Sequence, residues 1–151
     1  MRCGDGMHRT VAQINEFMAT LAPQDDQSLR ILEVQAEGVL WCLMPAAALS
    51  LRPGGSISGP SLMTLADAAM YACVLHLDIE HAEMAVTQSL HIQFLRRPQP
   101  GDLHARVEAL RRGRHSVVLD VRIYSEQGHR LVAQASGVYA LPRQSLPRQD
   151  F

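Results

Sequence analysis

The stretch from Ser58 to Leu77 constrains the fold of this chain more than any other. Gly59-Pro60 is typical of a helix start, because proline fits the first helical turn, where no backbone donor is needed. Almost every later residue is Ala, Leu, Met, Val, Cys or Tyr, on all faces, which predicts a helix buried on most of its circumference. Asp67 carries the one formal charge of this helix. Because an unpaired buried carboxylate is costly, Asp67 needs either polar partners or a chemical use.

Two hypotheses for Asp67 follow from the residues alone. Thr64 and Tyr71 stand at i−3 and i+4, where side chains on one helix face meet, and either hydroxyl could satisfy a structural carboxylate. Alternatively, Asp67 acts as a general base or a nucleophile. The residues by themselves favour neither hypothesis.

The start of the same helix offers a second chemical group. First-turn N–H groups lack intrahelical partners and carry partial positive charge, so they can stabilise a negative oxygen. Pro60 has no N–H, which leaves the Gly59 amide as the donor expected to face a ligand, and glycine allows close approach. Asp67 could meet the same substrate if it came from a partner subunit. This pairing of groups suits acyl transfer to water.

Composition and spacing exclude several classes of protein. An apolar content of 47% and a net charge of −1 are those of an ordinary globular protein without general attraction to nucleic acid. No apolar run can span a bilayer, and the N-terminus lacks the apolar core of a signal peptide, so we expect no membrane contact and a cytoplasmic location. The seven histidines show no metal-site spacing, and no metal or cofactor is expected. The three cysteines, Cys3, Cys42 and Cys73, are expected to be reduced, and Cys42 and Cys73 lie in apolar segments.

The periodicity along the chain predicts one domain over residues 1–151 with a core of about 29–141. An amphipathic helix is expected at about 10–21, with Thr10 as its N-cap, and a polar tail at 142–151. Alternating residues predict six strands, at 29–36, 39–44, 85–95, 103–110, 116–124 and 131–141. Turn-forming residues separate the last four, so consecutive strands are expected to pair as antiparallel neighbours.

This order of elements predicts an α+β fold in which a long antiparallel sheet wraps around the central helix. One edge of such a sheet stays open. Pairing of that edge with a second copy makes a dimer natural.

Ser58-Gly59-Pro60 through Leu65-Ala66-Asp67 resembles a motif of the hotdog-fold acyl-CoA thioesterases, in the branch typified by phenylacetyl-CoA and hydroxybenzoyl-CoA thioesterases. The family motif runs roughly His-Gly-Gly, then a short apolar stretch ending in Leu-Ala-Asp, and the Gly-to-Asp spacing is kept here. The strand at 86–96 and the turn at 101–103 are also similar to the family. The resemblance implies a hotdog fold, a homodimer or dimer of dimers, and an acyl-CoA substrate.

Carried over residue by residue, the resemblance implies that Asp67 is the catalytic carboxylate, either nucleophile or general base. Gly59 would supply the amide that polarises the thioester carbonyl. Thr87 matches a hydroxyl position that helps to place the attacking water in related enzymes.

Three positions in the substrate-binding region depart from the family pattern. Arg52 stands where many members have Asn or Gln, which puts a cation near the carboxylate. Ser58 and Pro60 replace the usual His and Gly. The role of Gly59 survives these changes, because a backbone amide needs no neighbouring side chain.

Coenzyme A carries phosphates, so basic segments are candidate binding sites. Arg96-Arg97 ends one strand, and Arg111-Arg112-Gly113-Arg114 makes a turn between two others. Guanidinium groups can hold phosphate through bidentate contacts, and Gly113 could open the backbone to an anion. The alternative for each segment is a solvated turn. Met63 is expected either in the core or in the lining of an acyl pocket.

The sequence therefore predicts an acyl-CoA thioesterase that hydrolyses a thioester to free acid and coenzyme A. A non-catalytic acyl-CoA binding or sensing protein on the same fold is the alternative, motivated by the departures at positions 52, 58 and 60. A hydratase or dehydratase of this fold ranks last, because its Asp/His or His/Glu arrangement is not found.

Overall fold

The computed structural model of the protein describes residues 9–143. Cys3 and residues 144–151 of the expected tail lie outside the described residues. The described range contains two helices and six strands: α1 (Val11–Leu21), β1 (Arg30–Ala36), β2 (Val39–Met44), α2 (Gly59–His76), β3 (Val86–Phe94), β4 (Leu103–Arg112), β5 (Ser116–Ser125) and β6 (Arg130–Ala140). The bounds predicted from periodicity are confirmed to within two residues.

The six strands form one antiparallel sheet in the order β1-β2-β4-β5-β6-β3, packed on α2. The predicted pairing of consecutive strands is confirmed for β4 with β5 and for β5 with β6. It is wrong for β3, which pairs with β6, while β4 pairs with β2. The connection between β3 and β4 contains Pro98 and Pro100 and forms no tight turn. It runs beside the loop before α2 instead, where the Ile57 N–H donates to Pro98 O at 3.1 Å.

The core lies between the sheet and α2, and strand alternation determines which residues enter it. In β5, Val117, Leu119, Val121 and Ile123 are fully buried, while the residues between them are partly or fully exposed. Strand β3 differs, since it is exposed along most of its length. This exposure is that of an edge strand with one side unpaired.

Helix α1 begins as the sequence predicts. The Gln13 N–H donates to Thr10 Oγ1 at 3.1 Å, and the Thr10 N–H donates to Gln13 Oε1 at 2.9 Å, so the two residues form a capping box. The helix is tied to β1 by Asn15, whose side chain accepts from the Ile31 N–H at 2.7 Å and donates to Ile31 O at 3.2 Å. Ile14 is fully buried beneath it. These contacts hold helix α1 against β1.

Helix α2 is buried on its sheet side but not all round, so the predicted burial is only partly right. Residues with exposed or half-buried side chains recur every three or four positions along its outer side. This open stripe of α2 consists of Pro60, Met63, Thr64, Asp67, Ala68 and Tyr71. Its existence leaves Asp67 within reach of a ligand.

Gly137 of β6 allows α2 to approach the sheet closely below the open stripe. A β-carbon at this position would lie 2.5 Å from Met70 Sδ and 3.0 Å from Ser89 O. Only glycine fits there without displacing its neighbours, since Met70 is itself fully buried.

The prediction of reduced cysteines is confirmed for the two that lie within residues 9–143. Cys42 and Cys73 are free thiols in the core. Burial raises the pKa of each thiol to about 12. No helix within residues 9–143 combines the length and hydropathy needed to cross a bilayer.

Candidate active site

The Asp67 carboxylate is held by two hydroxyl groups from the sheet. Thr87 Oγ1 of β3 donates to Asp67 Oδ1 at 2.6 Å, and the Tyr139 hydroxyl of β6 donates to the same oxygen at 2.6 Å. The Tyr139 hydroxyl also lies 3.0 Å from the backbone carbonyl oxygen of Asp67. Among residues 9–143, no group donates to Oδ2, so this second oxygen is open to a water or a substrate.

The hypothesis that Thr64 or Tyr71 satisfies Asp67 is wrong. The Tyr71 hydroxyl donates to the backbone oxygen of Glu83 at 2.8 Å, and Thr64 lines a cleft on the other side of the open stripe. The Asp67 side chain turns toward β3 and β6, away from its helical neighbours. Asp67 is therefore anchored by tertiary contacts.

Tyr139 has no signal in the sequence that marks it as a site residue. Strand alternation places it on the inward face, but its partner depends on the β3–β6 ladder, in which Thr87 stands opposite Tyr139. A register shift between Thr87 and Ser89 interrupts this ladder. Bulges of this kind re-aim side chains, and here the irregularity adjoins the residue that meets Asp67.

The two hydroxyl donors differ in environment. Tyr139 is 3% exposed, and burial, followed by the hydrogen bond to Asp67, raises its pKa well above the usual value. It therefore keeps its proton and remains a donor at neutral pH. Thr87 lies on the exposed edge strand. Together they fix one carboxylate oxygen and leave the other able to take a proton or to attack a carbonyl.

The start of α2 has one unpaired N–H group, as the sequence predicts. Ser58 is the N-cap, and its Oγ accepts from the Ser61 N–H at 3.3 Å. Pro60 has no N–H to donate. The Gly59 N–H has no acceptor within residues 9–143, so it can serve an external oxygen. The ring of Phe94 stands over Gly59, since a β-carbon there would lie 3.4 Å from Phe94 Cζ.

Gly59 and Asp67 are too far apart to act on one carbonyl group within a chain. At a rise of 1.5 Å per residue, their separation along α2 is about 12 Å. A thioester carbonyl and its attacking oxygen lie about 3 Å apart.

The predicted phosphate-binding arginines lie near opposite ends of α2. At the Gly59 end, Arg52 lies in the exposed loop before the helix, and Arg96 donates from Nη1 to Leu131 O at 2.8 Å. At the other end, the β4–β5 hairpin carries Arg112, which donates to the backbone oxygen of Asp78.

The hairpin glycine is already paired. The Gly113 N–H donates to Ser116 O at 2.8 Å within the turn. Arg114 is exposed at the same tip. Any anion contact at this hairpin would therefore come from the guanidinium groups, and their phosphate role stays a prediction.

A cleft of about 250 Å³ lies between α1 and α2, next to Thr64 and Ala68. Its wall is mostly apolar and is formed by Met18, Leu21, Ala22, Pro23, Gln27, Ser28, Leu29, Met44, Ala48, Thr64 and Ala68. Met63 does not line it and is 41% exposed, which excludes a place in the core. No group of three potential metal ligands occurs among residues 9–143.

Comparison with known proteins identifies a family for this chain. A family model described as the thioesterase superfamily matches residues 54–132, more than half of the chain. No curated protein matches the sequence.

Solved structures share the fold over most of their length. A candidate thioesterase from Silicibacter sp. TM1040 is 31% identical, with a TM-score of 0.75, over 88% of this chain and 92% of its own. The E. coli PaaI protein of the phenylacetic acid degradation operon is 25% identical, with a TM-score of 0.65, over 83% and 88%. A hypothetical thioesterase from Streptococcus pneumoniae TIGR4, solved with coenzyme A, is 23% identical, with a TM-score of 0.67, over 87% and 97%. With its hotdog-like fold and the family match across α2 and the strands behind it, this chain belongs to the thioesterase superfamily.

Proposed function

We propose that this protein hydrolyses acyl-CoA thioesters, with Asp67 as nucleophile or general base and the Gly59 amide as the group that polarises the carbonyl. The observation that carries this proposal is the Asp67 carboxylate, half-buried on the open stripe of α2 with one oxygen anchored by two hydroxyls. A fixed, accessible carboxylate with one open oxygen is what either role requires.

The active site is completed by a second copy of the chain. Gly59 and Asp67 lie about 12 Å apart on one helix, whereas two α2 helices packed antiparallel about a twofold axis near Met63 would bring each Gly59 against the partner's Asp67. Met63, midway between the two, is 41% exposed. Strand β3, the sheet edge beside Asp67, and the residues that flank it also offer exposed apolar side chains for such pairing: Met84, Val86, Phe94 and Leu95. A dimer of dimers is compatible with this arrangement.

Hydrolysis can proceed with Asp67 as general base or as nucleophile, and all atoms are accounted for in both routes. As general base, Asp67 takes a proton from water while the water oxygen bonds to the thioester carbonyl carbon. The C–S bond then breaks, the proton passes to the leaving sulfur, and the products are the free acid and the thiol. As nucleophile, Oδ2 displaces the thiolate to form an anhydride, which water hydrolyses. In both routes the partner subunit's Gly59 amide stabilises the negative carbonyl oxygen.

The exposed arginines favour coenzyme A as the thiol carrier, because its phosphates are negatively charged. Exposed arginines lie at both ends of α2, with Arg52 at one end and Arg114 at the other. The streptococcal structural neighbour was solved with coenzyme A. We expect Arg114→Ala to raise the KM for acyl-CoA with little change in kcat.

The first test is Asp67→Asn, assayed by thiol release from a panel of aromatic, short-chain and medium-chain acyl-CoAs. Asn has the same size but is a poor base and a poor nucleophile, so kcat is expected to fall about 100- to 10,000-fold. Asp120→Asn is the matched control, since Asp120 lies on the outer face of β5 beside Gln134. Near-normal turnover by Asp67→Asn would remove the basis of the proposal.

The second test asks whether the two groups come from different subunits. Gly59→Pro removes the amide hydrogen at a position where proline suits the helix start, while Gly59→Ala keeps it and should lose much less activity. Mixed dimers of Gly59→Pro and Asp67→Asn subunits contain one intact site each, so random mixing should restore roughly a quarter of wild-type activity. Failure of mixing to restore activity, with mixed dimers demonstrated, would refute the shared site.

The departures at Arg52, Ser58 and Pro60 keep a non-catalytic acyl-CoA binding protein as the competing outcome. Such a protein would be stabilised against heat by acyl-CoA without releasing thiol. Ser58 is explained without either function, because its Oγ caps α2.

A further inference from the structure

The two hydroxyls on Asp67 Oδ1 are not equivalent in how firmly the fold holds them. Thr87 lies on edge strand β3, next to a register shift, and is exposed in the single chain. Tyr139 lies in β6, between β5 and β3, with its ladder partners Val117 and Thr87 on either side. The better-fixed donor to Asp67 is therefore the tyrosine.

The ring of Tyr139 is fixed as well as its backbone. It stacks on Tyr71 with ring centroids 6.2 Å apart and an interplanar angle of 22°. Tyr71 is itself held, since its hydroxyl donates to Glu83 O at 2.8 Å and its ring meets Phe17 of α1 at 6.4 Å. Rotation of the Tyr139 ring would break this stack, so the hydroxyl has one position relative to α2.

The hydroxyl contacts both the side chain and the backbone of Asp67. It lies 2.6 Å from Oδ1 and 3.0 Å from the carbonyl oxygen of the same residue. A group placed between these two oxygens limits rotation of the carboxylate about its side-chain bonds. The consequence is that Oδ2, rather than Oδ1, is the oxygen left without a donor from residues 9–143.

We propose that Tyr139 is a positioning residue of the hydrolysis, which holds Oδ1 of Asp67 so that Oδ2 is the oxygen that meets water or thioester. This inference rests on the proposed function, because it assigns a role within the same site. Tyr139 acts through Asp67 and does not itself exchange a proton.

Removal of the Tyr139 hydroxyl should leave the Asp67 carboxylate free to rotate about its side-chain bonds, so that Oδ2 is less often placed to meet water or thioester. We therefore expect a lower kcat. The KM should change little, because the hydroxyl binds Asp67 and not the substrate.

Tyr139→Phe is the direct test, since it keeps the ring and the stack on Tyr71. We expect kcat to fall about 10- to 100-fold and KM to change less than about threefold. Tyr124→Phe is the matched control, because Tyr124 packs on Trp41 on the outer face of the sheet. Its kcat and KM should equal those of the wild type.

Thr87→Val removes the other hydroxyl that donates to Oδ1 and should also lower kcat. Thr87→Ser keeps a hydroxyl at this position and should recover most of the activity that Thr87→Val loses. An unchanged kcat of the folded Tyr139→Phe protein would overturn the inference, as would a raised KM with kcat unchanged, which would place the hydroxyl in substrate binding. Asp67→Asn assayed alongside separates the two proposals. Full activity in Asp67→Asn overturns the proposed function, whereas an inactive Asp67→Asn with a normal Tyr139→Phe overturns only the role of Tyr139.

Discussion

Gly137→Ala measures how tightly α2 packs on the sheet beneath Asp67. The added β-carbon would lie 2.5 Å from Met70 Sδ, 2.8 Å from Met70 Cε and 3.0 Å from Ser89 O. Relaxed contacts between carbon atoms are about 3.5–4.0 Å. Met70 is fully buried and cannot swing aside into solvent, so the helix, the strand or the methionine must move.

The size of the effect follows from two opposing terms. Overpacking of a core costs about 1–3 kcal/mol, while replacement of glycine in a strand stabilises by about 0.5–1 kcal/mol. We expect the free energy of unfolding to fall by about 1–2 kcal/mol. Urea unfolding followed by circular dichroism, at one fixed protein concentration, measures the difference.

Met70→Ala tests whether the cost of Gly137→Ala comes from the contact with Met70. It removes the sulfur and the terminal methyl, and alone it should cost about 2–5 kcal/mol. In that background Gly137→Ala should cost little, which gives a coupling of about 1 kcal/mol or more in the double-mutant cycle. A neutral Gly137→Ala, or the same cost in both backgrounds, would refute the packing of α2 on β6 described above.

Ser58→Ala should lower the free energy of unfolding by about 1 kcal/mol, because it removes the N-cap oxygen, and Ser58→Thr should not; thermal unfolding compares them. The buried thiols predict a pH effect. Folding keeps Cys42 and Cys73 protonated up to about pH 12, whereas the unfolded thiols ionise near pH 9.0. Their contribution to stability is therefore complete below pH 9 and is lost as the pH rises toward 12, and Cys42→Ala should flatten the decline by about 1 kcal/mol per pH unit. Val86→Lys should weaken the dimer proposed on β3, which sedimentation equilibrium would detect as monomer at concentrations where the wild type is dimeric; an unchanged mass would exclude Val86 from the interface.

The local structure of this protein follows from its sequence. The N-cap at Thr10, the helix start at Gly59-Pro60 and the alternation in each strand depend on residues a few positions apart, and their predicted positions are confirmed. The unpaired Gly59 amide was also predictable, since Pro60 lacks a donor and each helix start leaves orphan N–H groups. The motif spacing from Gly59 to Asp67 was sufficient to indicate the superfamily.

Tertiary structure decided what surrounds Asp67. Periodicity shows which residues of a strand face inward but not which strand lies beside it, and the β3–β6 pairing that joins Thr87 to Tyr139 links segments far apart in the chain. The helical neighbours Thr64 and Tyr71 were the natural partners by spacing, yet the side chain turned to the sheet, where two hydroxyls were within reach. Apolar composition suggested burial of α2 on most sides, but a six-stranded sheet covers one side of a helix and α1 covers only part of the rest. The open stripe that exposes Asp67 therefore results from how much surface one sheet can cover, which no local pattern encodes.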